Sequence, residues 1–163
     1  MNTKISGLIS RLQDSLNGDP WYGDSVIGKL ATIDHRTASA FPLPNIHSIA
    51  EVLQHLINWH VFTVRKIKGD KTFIIQQNDS NDWTPVSIET ETDWQDLIGD
   101  YKNSAKELIE ALEGMDDSFL NRDIPGKPYT FGYLLEGIVQ HNVYHLGQIA
   151  LLKKWVDTLN KLS

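Results

Sequence analysis

The sequence of 163 residues contains no cysteine. Disulfide bonds, thiolate metal sites and a cysteine nucleophile are therefore excluded. No apolar run approaches the roughly 20 residues that a membrane-spanning helix needs. Residues 1–16 have helical periodicity and lack the apolar core of a secretory signal. We therefore expect a cytoplasmic protein.

The chain is also poor in basic residues relative to acidic ones. It carries 15 lysines and arginines against 21 acidic residues, a formal net charge of −6. Nucleic-acid binding needs a concentrated basic face, and the one modest basic cluster, at residues 65–68, fits the solvated end of a helix. Nucleic acid is therefore not expected as a partner. The length and the hydrophobic fraction of 40% are typical of one globular domain, which we place at residues 1–163.

Strand signals are scarce, and four long segments show the apolar periodicity of helices. The first has one apolar stripe, formed by Ile5, Leu8, Ile9, Leu12 and Leu16. A shorter helical piece follows near residues 26–33. For the other three long helices, the predicted N-caps are Ser48 (in a capping box with Glu51), Thr92 and Thr130. This pattern predicts an all-α four-helix bundle.

Residues 69–91 form a long polar segment, rich in asparagine and aspartate, with one short β-prone patch at residues 72–75. A connection of this length inside a small domain is either disordered or functional, often as a lid. We expect it to be the element that sets specificity.

The last long helix contains His141 and His145 in the run GIVQHNVYHLGQIALLKK. Side chains four residues apart lie on one face of a helix, so both imidazoles can point at one centre. The neighbours on that face are apolar, and titratable rings in an apolar interior are costly unless something satisfies them. A divalent metal ion would do so, because neutral imidazole is a common metal ligand.

His55, on the earlier helix, is the candidate for a third ligand. One histidine from one helix and a pair from another is a workable way to bind a metal in a bundle core, and it leaves a fourth position open. His60 lies roughly 140° around the helix from His55 and cannot share its centre. The spacing alone is a weak signal, because many such pairs hydrogen-bond inside a core or face solvent.

A wider set of residues resembles the DinB/YfiT-like superfamily of bacterial four-helix-bundle metalloproteins. The C-terminal motif is carried by Gly137, Gln140, His141, Tyr144, His145, Gly147, Gln148, Ile149 and Leu152. A second set of residues resembles the second helix of the family: Pro44, His47, Ser48, Ile49, Glu51, His55, Leu56 and Trp59. Residues 21–23, Trp83 and Trp94 also match positions in relatives, so the resemblance spans nearly the whole chain.

The resemblance implies an up-down-down-up bundle with a divalent metal ion, often zinc or nickel, held by His55, His141 and His145. It also implies a homodimer and a metal-dependent enzyme acting on a small molecule. Relatives include S-transferases that use a low-molecular-weight thiol and metal-dependent hydrolases. Two other classes stay open: a non-catalytic metal-binding or stress-related bundle, and a helical interaction protein that binds no metal.

Several neighbours of the histidines have expected roles. Gln148 has two open interpretations: a functional side chain that orients a ligand imidazole or meets the substrate, and a buried amide bonded to backbone. Tyr144 is expected as a packing residue with its hydroxyl bonded, and Gly147 as a point of close helix approach. Glu51, one turn before His55, could hydrogen-bond it, but the capping role is the simpler interpretation. No residue is assigned as a general base, because Glu136 points away from the histidine pair.

Overall fold

The structure is a computed structural model that describes residues 3–162. Its elements are α1 (Thr3–Asn17), α2 (Val26–Leu30), α3 (His35–Ser39), α4 (Ile49–Ile67), α5 (Glu91–Leu112), a 3-10 helix (Asp117–Asn121) and α6 (Phe131–Leu162). No strand occurs in this part of the chain, where a single isolated bridge pairs Asp123 with Thr130. The predicted all-α fold class is therefore confirmed.

Two of the three predicted helix caps are present. Ser48 and Glu51 form the expected capping box at the start of α4, and the Thr130 hydroxyl accepts a hydrogen bond of 3.4 Å from the Tyr133 backbone N–H. The prediction for α5 was wrong by two residues, because Thr90 is its cap. Asp93 lies three positions after Thr90 and completes a capping box with it, whereas Gln95, three positions after Thr92, donates its side-chain amide to Glu91.

The four long helices enclose the core. Helix α4 packs against α5 and α6, and α1 packs against the same two helices from the other side. Four positions of the predicted apolar stripe of α1 are buried, at Ile5, Leu8, Leu12 and Leu16, and the fifth, Ile9, is half-buried against the core. No helix within residues 3–162 has the length and apolarity that a membrane crossing requires.

The connection between α4 and α5 is ordered and returns along α4. Ile75 is buried against the core, and the side chain of Asp82 is nearly inaccessible, at 2% exposure. The Asn81 amide donates to the Ile74 carbonyl at 2.8 Å and closes the segment on itself. This packing brings Asp82 and Trp83 to the face of α4 that carries His55.

Candidate metal centre

Three histidines from two helices meet at one point. His55 Nε2 on α4 lies 2.9 Å from His141 Nε2 on α6, and His145 Nε2 lies 3.0 Å from the same atom. The three nitrogens that would ligate an ion all lie within 4.8 Å of one another. The predicted grouping is thus present, and the cluster has a composition and size that could hold a divalent metal ion.

Hydrogen bonds at the far side of two rings fix their tautomers. His55 Nδ1 lies 3.0 Å from the Asp82 carbonyl oxygen and 3.0 Å from the Asp82 carboxylate, so it donates there. His145 Nδ1 donates to Gln148 Oε1 at 2.6 Å. Both Nε2 atoms therefore present lone pairs to the centre, the arrangement found in metal-ligating histidines.

The three Nε2 atoms cannot all be satisfied by hydrogen bonds to one another, and this is why the cluster fits a cation. The Nε2 atoms of His55 and His145 are both acceptors. A proton on His141 Nε2 could therefore be donated to only one of them, and the lone pair of the other would be unsatisfied. Within the described chain, the buried Nδ1 atom of His141 has no hydrogen-bond partner. A divalent ion would take up all three Nε2 lone pairs at once. The donor set therefore fits such an ion.

Burial keeps these rings neutral, which is the ligating form. Desolvation lowers the pKa of His141 to about 3, assisted by the neighbouring rings of His145 and His55. Desolvation also lowers the pKa of His145 to about 4. The pKa of His55 is lowered by burial too, against an opposing effect of Asp82. All three imidazoles are thus ready to bind a cation near neutral pH.

A stack of three rings covers the outer side of the centre. Trp83 lies parallel to His55 with ring centroids 4.0 Å apart, and His47 lies on the other face of Trp83 at 3.7 Å. The Glu51 carboxylate lies 3.2 Å from His47 Nδ1 while it caps α4, so its expected capping role is present. Trp83 thereby shields His55 from solvent.

Asp82 is the functional residue that the sequence analysis missed. Besides holding His55, its carboxylate accepts hydrogen bonds of 2.9 Å from the Trp59 indole and from the Asn78 backbone N–H. It lies 27 positions from His55 in a segment without periodicity. The available signal was the Asp82–Trp83 pair, an acid beside a large aromatic residue in an otherwise polar connection.

The structure agrees with some of the expectations for the neighbouring residues and contradicts others. Gln148 bonds to the His145 imidazole and orients it, in line with one of its two open interpretations. The expectation for Tyr144 was wrong, because its side chain is 64% exposed and rests edge-on against His145. The expectation for Gly147 was also wrong, because a Cβ there would meet nothing within 4 Å. Glu136 pairs with Arg11 between α6 and α1, away from the centre as expected.

A cleft of about 480 Å³ opens beside the three histidines. Its walls include Trp59, Gln77, Asn78 and Tyr144, together with the three rings. The volume lies within the usual range of small-molecule sites. The cleft therefore gives a small molecule access to whatever the histidines hold.

Comparisons with known proteins are consistent with this site. The sequence model of the DinB superfamily matches residues 29–149, a stretch that includes His55, His141 and His145. Searches of the curated proteins and of the solved structures gave no significant match.

Proposed function

The chain belongs to the DinB superfamily, and we propose that it is a metal-dependent enzyme acting on a small molecule. A divalent ion, zinc or nickel, would be held by the Nε2 atoms of His55, His141 and His145. The observation that carries the proposal is the convergence of these three neutral imidazoles at the wall of an open cleft. Such an ion lowers the pKa of a bound thiol or water and so supplies a nucleophile.

The surrounding residues prepare the centre. Asp82 and Gln148 fix the rings of His55 and His145 and raise their basicity by accepting their Nδ1 protons. Trp59 and Trp83 exclude water from one side of His55. Three protein ligands leave the fourth position for the substrate or a cofactor, as in catalytic zinc sites.

The acid–base groups of the cleft favour a thiol-dependent transferase over a hydrolase. Among residues 3–162, Asp82 is the one carboxylate that lines the cleft, and hydrogen bonds from Trp59, Asn78 and His55 occupy it. No carboxylate there is free to act as a general base. A thiol needs less help than water to lose its proton, so a low-molecular-weight thiol is the nucleophile that we propose.

The test begins with metal content. We expect about one equivalent of zinc or nickel per chain, the number that a single three-histidine site holds. The His141→Ala variant should lose it, and His35→Ala, which removes a histidine outside the cluster, should retain it. If the protein takes up no metal even after reconstitution, the enzyme proposal fails.

A second measurement addresses the thiol. The cobalt-substituted protein should develop a sulfur-to-cobalt charge-transfer band when a small thiol is added, and His141→Ala should not. A purely structural metal gives a different pattern, because its binding free energy is part of the folding free energy. In that case His145→Ala would lower the melting temperature strongly, and no thiol or substrate would reach the ion.

We also infer that the four long helices form an up-down-down-up bundle. Arg11 of α1 pairs with Glu136 of α6, and Ser15, further along α1, contacts Asn142, further along α6. This order of contacts supports a parallel pair. The contacts between α4 and α6 support an antiparallel pair. His55 meets His145, whereas Trp59, four residues later, meets His141, four residues earlier.

The direction of α5 in the bundle follows from its contacts with α1. The Ile5 backbone N–H at the start of α1 donates to Asp117, just beyond the end of α5, whereas Leu16 at the end of α1 shares a cleft with Ala105. These contacts support antiparallel α1 and α5, and therefore parallel α4 and α5. A parallel pair needs a connection that returns over the length of a helix, which accounts for the long segment between α4 and α5.

A further inference from the structure

An apolar groove lies next to the metal centre, between α6 and the segment that precedes α4. It has a volume of about 360 Å³, and its apolar lining includes Leu43, Ile46, Val52, Leu151, Leu152 and Trp155. Leu151 and Trp155 are 57% and 43% exposed, so their apolar surfaces face open space. A concentrated apolar surface of this kind is typical of a binding site.

The groove and the metal cleft share two of their walls. Trp83 and Gln148 line both spaces. On the side of the cleft, Trp83 stacks on His55, and Gln148 holds His145. A molecule that occupies the groove therefore lies within one side chain of the proposed metal ligands.

The charges around these two spaces restrict what they accept. Among residues 3–162, no lysine or arginine lines the groove or the cleft. The carboxylate of Asp82 is buried and already bonded. His47, at the edge of the groove, is paired with Glu51. A charged group entering the groove would lose its hydration without a counter-charge, whereas apolar groups gain free energy on burial.

From these observations we propose that the groove binds the apolar part of the substrate of the metal centre. The substrate then has an uncharged apolar body, which lies against Leu151 and Trp155, and one polar end, which reaches the three histidines past Trp83 and Gln148. The assignment of the polar end rests on the proposed function; that of the apolar body rests on the groove itself.

The first test uses metal-directed probes that differ in their tails. Acetohydroxamic acid carries the metal-binding end alone, and octanohydroxamic acid adds six methylenes. On the zinc-loaded protein, calorimetry should show at least about a 30-fold tighter binding of the longer probe, because each fully buried methylene contributes about a fourfold gain. An eight-carbon hydroxamic acid whose tail ends in a carboxylate should lose most of that gain.

Two leucines of α6 provide matched variants. Leu151→Asp, inside the groove, should reduce the affinity ratio of the two probes to below about threefold. Leu159→Asp, on the same helix but outside the groove, should preserve the ratio. Equal affinities for both probes, or a ratio that survives Leu151→Asp, would overturn the proposal while leaving the metal centre intact.

A metal-free measurement separates this proposal from the proposed function. Added to the metal-free protein, the neutral probe 4-phenylbutanamide should shift the indole N–H resonances of Trp83 and Trp155. Trp94, which is fully buried and donates to the Ile33 carbonyl, is the internal control and should not move. Unmoved Trp83 and Trp155 resonances would overturn the groove proposal. Shifts in a protein that binds no metal would retain the groove and reject the enzyme.

Discussion

Single hydrogen bonds set the orientation of the imidazoles at the candidate metal centre, and the bond from His145 Nδ1 to Gln148 Oε1 can be tested directly by substitution. Gln148→Leu keeps the volume and removes the acceptor. We expect the affinity for zinc to fall about 10-fold to 100-fold, because the tautomer and orientation of His145 are no longer fixed. Competition with a chromophoric chelator measures this affinity.

Two further variants make that result specific. Gln148→Glu retains an oxygen acceptor and should recover most of the affinity, and Gln140→Leu changes an exposed glutamine on the same helix and should have no effect. An unchanged affinity in Gln148→Leu would mean that the bond does not orient His145.

For single residues, the sequence predicts the features that depend only on spacing and residue type. The pairing of His141 with His145 follows from helix periodicity, and the resemblance to a family joins His55 to them. The partners of the rings are less predictable. Gln148 was left with two roles, because a helical position does not show whether an amide bonds to a ring or to backbone. Asp82 was missed, because a long aperiodic connection leaves its distance to α4 unknown.

Among the elements, the connection from α4 to α5 depends most on one side chain. Asp82→Ala leaves the partly buried Trp59 indole and the Asn78 backbone N–H without their acceptor, and the cost for each is below the roughly 1–3 kcal/mol of a fully buried unsatisfied group. We expect faster hydrogen exchange across residues 76–84, measured by mass spectrometry, with little change in α5.

The same connection supplies the control. Asp79→Ala removes a carboxylate that is exposed and bonded to the Ser80 backbone N–H. It should leave the exchange rates near those of the parent protein. Equal effects of the two substitutions would show that the segment is held by its general packing and not by Asp82.

Helix α5 offers a test of one residue against its neighbour. Thr90 is the N-cap, and its hydroxyl accepts a hydrogen bond of 3.2 Å from the Asp93 N–H. Thr90→Ala should lower the free energy of unfolding by about 1 kcal/mol, measured by urea denaturation. Thr92→Ala, at the position that the sequence analysis assigned as the cap, should change it little. A larger effect at Thr92 would contradict the structural assignment.

This error shows the limit of the sequence at the scale of elements. The apolar stripes predicted the four long helices, because each stripe is a local property. Their ends were less certain where two threonines stood two residues apart. Only the reciprocal bonds of Thr90 and Asp93 decide between them.

Across the whole molecule, a buried polar layer joins one residue from each long helix. Asn142 of α6 donates to the Ser15 hydroxyl of α1 at 3.4 Å and accepts from His60 Nε2 of α4 at 3.4 Å. His60 Nδ1 lies 3.0 Å from the Ser104 hydroxyl of α5. The sequence excluded His60 from the metal centre by spacing, and could not predict this layer, because its members come from four separate helices.

The layer makes stability depend on pH in a defined direction. Burial lowers the pKa of His60 from its ordinary 6.5 to about 4. The unfolded chain therefore binds a proton on this histidine before the folded protein does. The contribution to stability is fully present above pH 6.5 and is lost as the pH falls towards 4.

We expect the metal-free protein to lose about 3 kcal/mol more unfolding free energy than its His60→Gln variant between pH 7 and pH 4, because each pKa unit corresponds to about 1.4 kcal/mol. Glutamine keeps an amide donor for Asn142 and does not titrate. Denaturant unfolding in the presence of a chelator, at a series of pH values, measures the difference. Ser104→Ala weakens the same layer but keeps His60, so it should retain the steep dependence on pH. Parallel curves for the parent and His60→Gln would contradict a histidine held neutral in the folded core.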